Sequence, residues 1–173
     1  MKRSTILLGL LIALAISCKD DDADEKNGGY SFKDQDLGGM IGGVLWTQRS
    51  GFAQEESYNG EEILGIDLVE TVSSGEGCTM FMPEGDYVFF DVPNKVGLYE
   101  LSINWDADLA NSTEKSRTVT LYDGDDKDKI NYIATSGAIE ILSISETEIT
   151  GRIDARAEEG TYVNGNFTVA LCK

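Results

Sequence analysis

Residues 98–105, with the sequence LYELSINW, decide the fold class, because apolar and polar side chains alternate along them. Every second residue from Tyr99 to Trp105 is apolar, whereas the residues between them, at 100, 102 and 104, are polar. A period of two residues is typical of a β-strand with one buried face, whereas an amphipathic helix repeats every 3.6 residues. The stretch therefore predicts a half-buried strand with Tyr99 and Trp105 in the core.

The same period of two recurs along most of the chain after Gly43. Glycine-containing turn signals, such as Asp123-Gly124 and Ser136-Gly137, separate the alternating segments at intervals of about 8–12 residues. We therefore predict an all-β fold, an antiparallel β-sandwich, with a barrel-like closed sheet as the alternative. The clearest further strands are expected at 117–122, 147–156 and 162–172, and weaker ones at 44–48, 63–71, 78–82, 86–91, 130–134 and 138–145.

The N-terminus has the features of a bacterial lipoprotein signal. Lys2 and Arg3 precede an apolar run of 11 residues, 6–16, which suits a signal peptide and is too short to span a membrane. The run ends in Ala-Ile-Ser-Cys at residues 15–18, which resembles the lipobox of bacterial lipoproteins. The resemblance implies cleavage after residue 17 and lipidation of Cys18. An ordinary secretory signal that ends near a cysteine is the alternative.

The residues after Cys18 predict where the protein is displayed. Lys19 and the acidic run 20–25 resemble the surface-export signal of Bacteroidetes lipoproteins, although any solvated acidic tether would look similar. We expect a lipid anchor and acidic linker over 18–37, followed by a single domain over 38–173. The expected location is the outer membrane, facing outward, and the alternative is its periplasmic face.

Four stretches of the domain carry a family resemblance. Together they are similar to small Bacteroidetes lipoproteins with an uncharacterised all-β domain, and the similarity covers most of residues 40–173. It implies a fold and a location but no activity. The stretches are GVLWT at 43–47, VGLYEL at 96–101, GAIEI at 137–141, and ITGRIDA at 149–155 leading to Gly165-Asn166-Phe167.

Composition excludes several functions. The formal charge is −17, or −19 after loss of Lys2 and Arg3 with the leader, so the surface repels nucleic acids. The absence of histidine excludes Ser-His-Asp and Cys-His catalysis and removes the commonest ligand of catalytic zinc. Carboxylates remain available for glycoside hydrolysis, although the candidates Glu55, Glu56, Glu61, Glu62 and Asp67 have no distinguishing context.

We therefore expect a non-catalytic module that binds or adheres to a glycan or a protein outside the cell. A structural or accessory lipoprotein facing the periplasm is the runner-up, and a carboxylate-dependent hydrolase is a further alternative. Tyr58, beside Asn59-Gly60, is the aromatic residue most suited to stack on a ligand from an exposed position. Trp46, Trp105, Tyr99 and Tyr162 are instead expected in the core.

The acidic loop after residue 122 is a candidate Ca²⁺ site. Asp123, Asp125, Asp126 and Asp128 place carboxylates close together in one loop, and Ca²⁺ prefers six to eight oxygen ligands. The EF-hand pattern fails, because Lys127 occupies a ligand position and no glutamate closes the loop. A solvated hairpin turn is the alternative.

Cys78 and Cys172 form an even pair once Cys18 is assigned to lipid. In an oxidising compartment the pair predicts a disulfide, and two separate thiols are the alternative. Cys172 falls on the strand face opposite Val169 and Leu171, so a bridge at a sheet end or between neighbouring strands fits better than one across the core.

Overall fold

The computed structural model describes residues 29–58, 60–70, 77–79, 85–104, 116–124, 127–158 and 160–173. Within these residues the chain forms eleven strands and one 3₁₀ turn, Gly77–Thr79, which confirms the predicted all-β fold. The strands are β1 Gly38–Ile41, β2 Val44–Thr47, β3 Ser50–Tyr58, β4 Glu61–Val69, β5 Tyr87–Pro93, β6 Gly97–Glu100, β7 Val119–Asp123, β8 Ile130–Ala134, β9 Ser136–Ile144, β10 Glu148–Arg156 and β11 Tyr162–Cys172.

All eleven strands belong to one curled sheet. The hydrogen-bonded order is β6-β9-β10-β11-β3-β4-β5-β7-β8, with β1 between β2 and the start of β11. β3 pairs with β11 in parallel, whereas the other strand pairs of the described chain are antiparallel. An isolated bridge joins Ser102, after β6, to Arg117, before β7. This bridge brings the β6 edge of the sheet next to the β7 side, so the sheet closes on itself at this point. The barrel-like alternative therefore describes this sheet better than a sandwich.

β11 is the reason why the strands do not separate into two stacked sheets. It is eleven residues long, pairs with β10 over residues 162–170, and pairs with β3 over its last three residues. One strand therefore joins two groups of strands that a sandwich would keep apart.

The core lies inside the curled sheet and follows the alternation expected from the sequence. Buried apolar side chains occupy alternate positions of β7, β10 and β11, as at Val119 and Leu121. Trp46 is buried, and its indole N–H donates a 3.1 Å hydrogen bond to the Asp86 carbonyl, which satisfies the buried donor. Tyr99 is only partly buried and packs against the core, whereas Trp105 lies outside the described residues. The expectation that Tyr162 is in the core was wrong, because it is the first residue of β11 and is 38% exposed.

Two predicted strands need correction. The strand expected at 98–105 ends at Glu100 as β6 and, within the described residues, is followed only by the isolated bridge at Ser102. The strand expected at 78–82 is absent from its described residues, since Cys78 and Thr79 lie in the 3₁₀ turn. The glycine-rich stretch 38–43 forms β1 and a tight turn, in which Gly42 and Gly43 have φ angles of 58° and 84°. A two-residue hairpin turn of this type needs positive φ at both positions, and glycine adopts it without steric cost.

Residues 29–37, which we call the N-terminal strap, run along β10 and β11 and end at Leu37, which is buried in the core. The amide of Ser31 donates to Asp154 Oδ2 at 2.9 Å, and the amide of Lys33 donates to Asn164 Oδ1 at 2.9 Å. Asn164 Nδ2 donates in return to the Ser31 carbonyl at 2.8 Å. Residues that the sequence assigned to the end of the linker are therefore bound to the domain.

Candidate functional site

The outer face of β4, β5 and β7 brings three aromatic rings and two carboxylates together. The register places Asp67 opposite Phe89 and Tyr87 opposite Tyr122. Asp91 follows Phe89 by two residues and therefore lies on the same face of β5. We call these five residues the aromatic–acidic face.

The aromatic rings form a continuous row. The ring centroids of Tyr87 and Tyr122 are 4.7 Å apart, and those of Tyr87 and Phe89 are 5.6 Å apart. Phe89 is 36% exposed, although its neighbours Val88 and Phe90 are buried on the opposite face. A contiguous group of exposed apolar side chains is uncommon on a monomer surface and often marks a binding site.

Asp67 lies opposite Phe89 on β4, and Asp91 lies two residues after Phe89 on β5. No ion pair with a cationic side chain is found for either aspartate in the described residues. Burial raises the pKa of Asp67 to about 6, and the nearby charges of Asp91 and Glu56 contribute to the rise. Burial also raises the pKa of Asp91. Within the described part of the chain, neither carboxyl group has a hydrogen-bond or ion-pair partner. Both are therefore available to accept hydrogen bonds from a ligand.

A notch opens between β5 and β7 next to these groups. Strand pairing stops after the Phe89–Thr120 pair, and beyond it lies a cavity of about 140 Å³. Phenyl rings, one carboxyl group and three hydroxyl-bearing side chains therefore line a space that is open to solvent. The lining residues are Phe89, Phe90, Asp91, Ser116, Thr118 and Thr120.

A larger cavity of about 830 Å³ lies beside β8, and its described lining contains polar side chains but a single aromatic ring, that of Tyr132. Its walls include Ile103, Ile130 and Ile133, and its charged residues are Arg156 and Glu158. Arg156 already forms an ion pair with Asp154 at 3.4 Å. We therefore place the candidate site on the aromatic–acidic face rather than in the larger cavity.

Tyr58 is exposed, as the sequence indicated, with 62% of its surface open to solvent. It lies at the end of β3 opposite Glu61, whereas Phe52 of the same strand lies opposite Asp67. Six residues of an extended strand separate Tyr58 from that row, or about 20 Å. The structure therefore does not bring Tyr58 to the aromatic–acidic face. The remaining carboxylate candidates are exposed on the same β3–β4 hairpin: Glu55, Glu56, Glu61 and Glu62.

The sequence contains a signal for this face that the predicted site residues do not include. Residues 87–93, YVFFDVP, alternate two aromatic residues and an aspartate on one side with Val88, Phe90 and Val92 on the other. Asp67 is distinguished from the other carboxylates by its position beside Phe89. That position depends on the pairing of β4 with β5, which a single sequence does not reveal.

The predicted Ca²⁺ ligands are only partly described. Asp123 is buried and its carboxylate approaches the turn at Gly42, whereas the Asp128 side chain is exposed and lies beside Lys127. Asp125 and Asp126 lie outside the described residues. The described chain contains no group of three or more acidic or cysteine residues suited to a metal ion. The Ca²⁺ site stays a prediction.

Cys78 and Cys172 are joined by a disulfide with a Cα–Cα distance of 5.4 Å. Cys172 pairs with Gln54 at the end of β11, and Cys78 belongs to the 3₁₀ turn, so the bridge lies on the sheet surface away from the core. Cys18 lies outside the described residues, and its lipidation stays a prediction. In the described chain, no helix has the length and apolar character needed to cross a bilayer.

Comparison of the chain with protein-family models, curated proteins and solved structures found no match. The candidate site therefore rests on its geometry and chemistry alone.

Proposed function

We propose that this chain is a lipid-anchored surface protein that binds a glycan on its aromatic–acidic face. The observation that carries the proposal is the row of Tyr87, Phe89 and Tyr122 rings beside the unpaired carboxyl groups of Asp67 and Asp91. Binding sites commonly combine an apolar surface with a few polar groups that fix the orientation of the ligand.

The chemistry of a sugar matches both parts of this face. The C–H face of a pyranose ring is apolar and can stack on an aromatic ring, whose π-face carries negative charge. Sugar hydroxyl groups can donate to the carboxylates of Asp67 and Asp91 and can exchange hydrogen bonds with Thr118 and Thr120 in the notch. The formal charge of −17 favours a neutral glycan over an anionic one.

Glycan-array binding by the full mature protein in detergent tests the site. We expect Phe89→Ala to weaken binding of any captured glycan by about tenfold or more, because it removes a central aromatic contact. Asp91→Asn should weaken binding less, because an amide can still accept one hydrogen bond. Tyr162→Ala changes an exposed tyrosine on β11, outside the face, and should bind as the unchanged protein does.

Unchanged binding by Phe89→Ala would contradict the proposed site. Loss of binding in Tyr58→Ala alone would move the site to the end of the β3–β4 hairpin. The absence of any captured glycan would favour a protein ligand or a structural role.

The location forms a separate part of the proposal. The lipobox-like residues 15–18 and the acidic run 20–25 support lipidation at Cys18 and display on the outer surface. Labelled fatty acid should be incorporated into the protein and should be lost in Cys18→Ala. Protease added to intact cells should degrade the protein, whereas a protein on the periplasmic face would be protected.

The pKa of Asp67 favours hydrolysis as a second candidate function. A carboxyl group with a pKa of about 6 is partly protonated near neutral pH, as a general acid requires, and Asp91 supplies a second carboxyl group nearby. Release of reducing sugar from an oligosaccharide, abolished by Asp67→Asn, would support this function. Binding of an oligosaccharide without any hydrolysis would favour the non-catalytic binding function.

A further inference from the structure

A row of exposed apolar side chains lies at one corner of the sheet, on β2, β1 and β11. Leu45 pairs with Met40, and Met40 pairs with Tyr162, so the three side chains share one outer face. Leu45 is 78% exposed and Tyr162 is 38% exposed, whereas Met40 between them is partly buried. Val44, at the end of the β1–β2 hairpin, points to the opposite side of β2 from Leu45 and is 61% exposed. We call Met40, Val44, Leu45 and Tyr162 the apolar tip.

The chain enters the described structure at this same corner. Arg156 of β10 pairs with Tyr162 and so extends the row by one strand, and its guanidinium donates a hydrogen bond to the Gly29 carbonyl. The N-terminal strap then runs away from this corner along β11, since Asp36 bridges to Asn166 in parallel. Gly29 is therefore held next to the apolar tip.

The length of chain between Cys18 and Gly29 limits how far this corner can lie from a lipid anchor. Eleven residues span at most about 38 Å when fully extended. The opposite end of β10, at Glu148, is eight residues from Arg156, or about 26 Å further along an extended strand. An anchor at Cys18 would therefore confine Gly29 to within about 38 Å of the bilayer, whereas the turn after β9 could lie about 26 Å further away.

We propose that the apolar tip rests on the lipid bilayer that holds the anchor, an inference that depends on the proposed lipidation of Cys18. Leucine and valine side chains gain free energy on leaving water, and tyrosine is enriched at membrane interfaces. The contact is apolar rather than electrostatic, because a mature chain with a charge of −19, after loss of Lys2 and Arg3, is repelled by anionic headgroups. The tip thus orients the domain and directs the β3–β4 hairpin away from the membrane.

A single fluorescent label tests the contact. Leu45→Cys, carrying an environment-sensitive fluorophore, is compared in phosphatidylcholine vesicles with Leu142→Cys, which is 48% exposed near the far end of β9. Cys78 and Cys172 are bonded to each other, so the introduced thiol is labelled selectively. We expect spin-labelled lipids to quench the label at position 45 at least threefold more strongly than the label at position 142. Equal quenching at the two positions would overturn the proposal.

A second preparation separates failure of the tip from failure of the anchor. The same labelled variants in a Cys18→Ala background are held on vesicles by an N-terminal histidine tag and nickel-chelating lipid. Stronger quenching at position 45 there supports the tip even if the natural protein carries no lipid. Equal quenching at positions 45 and 142 in this preparation would show that the apolar tip faces solvent and would overturn the proposal. A spectral shift of the label at position 45 that depends on protein concentration and occurs without quenching would indicate contact with a second copy of the chain, and would also overturn it.

Discussion

Asp67 is a residue whose surroundings disfavour its charge. Burial on β4 and the neighbouring charges of Asp91 and Glu56 raise its pKa from 3.8 to about 6. The folded protein therefore binds a proton more tightly than the unfolded chain does. The charged form of Asp67 lowers the free energy of unfolding above pH 6, and this destabilisation disappears as the pH falls towards 4.

Replacement of Asp67 by asparagine should therefore stabilise the fold in a pH-dependent way. After discounting for the part of the carboxyl group still in water, we expect a gain on the order of 1 kcal/mol at pH 8, or about 2–4 °C in Tm. The gain should vanish near pH 4, where both states carry a neutral carboxyl group. Thermal unfolding across this range provides the measurement, with Glu62→Gln on the same strand as the control. A gain that does not depend on pH would show that charge is not the cause.

Gly39 shows how a missing side chain can determine packing. A Cβ atom at this position would overlap the carbonyl of Tyr162, because β1 crosses the start of β11 closely. We expect Gly39→Ala to lower the free energy of unfolding by about 2–3 kcal/mol or more. Gly60→Ala provides the comparison, because nothing lies within 4 Å and only its positive φ of 79° opposes the change. That variant should lose about 1 kcal/mol, and equal losses in the two variants would be evidence against the close contact.

At the scale of elements, the N-terminal strap connects the tether to the sheet. Its hydrogen bonds satisfy polar groups of Asp154 on β10 and Asn164 on β11, both of which are largely buried. The Arg152 guanidinium also lies 4.4 Å from the centroid of the Phe32 ring. A force applied through the N-terminus would therefore act first on the strap.

Replacement of Asn164 by aspartate should release the strap. The change removes the donor to the Ser31 carbonyl and places a second carboxylate opposite Asp154. We expect a loss of about 1–3 kcal/mol of stability and faster hydrogen exchange at the amides of residues 29–37. Asn131→Asp, on the exposed face of β8, is the matched control. Unchanged exchange across the strap would contradict this role of Asn164.

At the scale of the whole molecule, a large negative charge surrounds a continuous core. The chain carries 31 acidic residues and 14 basic ones, so repulsion between like charges destabilises the compact folded state. The disulfide between Cys78 and Cys172 opposes unfolding, because it closes a loop of 94 residues and restricts the unfolded chain by about 4–5 kcal/mol in the entropy model.

Salt should therefore stabilise the protein. Raising NaCl from about 20 to about 500 mM shortens the screening length to a few ångströms, and we expect a gain on the order of 1–2 kcal/mol, or about 2–8 °C in Tm. CaCl₂ at matched ionic strength tests the acidic loop in the same experiment. A larger shift with calcium, abolished by Asp125→Asn, would support the Ca²⁺ site, whereas identical shifts would argue against it. A fall in Tm with NaCl would contradict the repulsion.

Features that depend on neighbouring residues could be predicted from the sequence. The alternation in 147–156 and 162–172 indicated strands and their buried sides, because successive side chains of a strand point to opposite faces. The strand predicted at 98–105 was only partly correct, because β6 ends at Glu100. The sequence also indicated that Tyr58 is exposed. The tertiary structure alone shows that β11 joins β10 to β3, that β4 places Asp67 beside Phe89, and that Arg156, the partner of Tyr162, holds Gly29. These contacts join residues far apart in the chain, and strand order and register depend on the packing of the whole sheet.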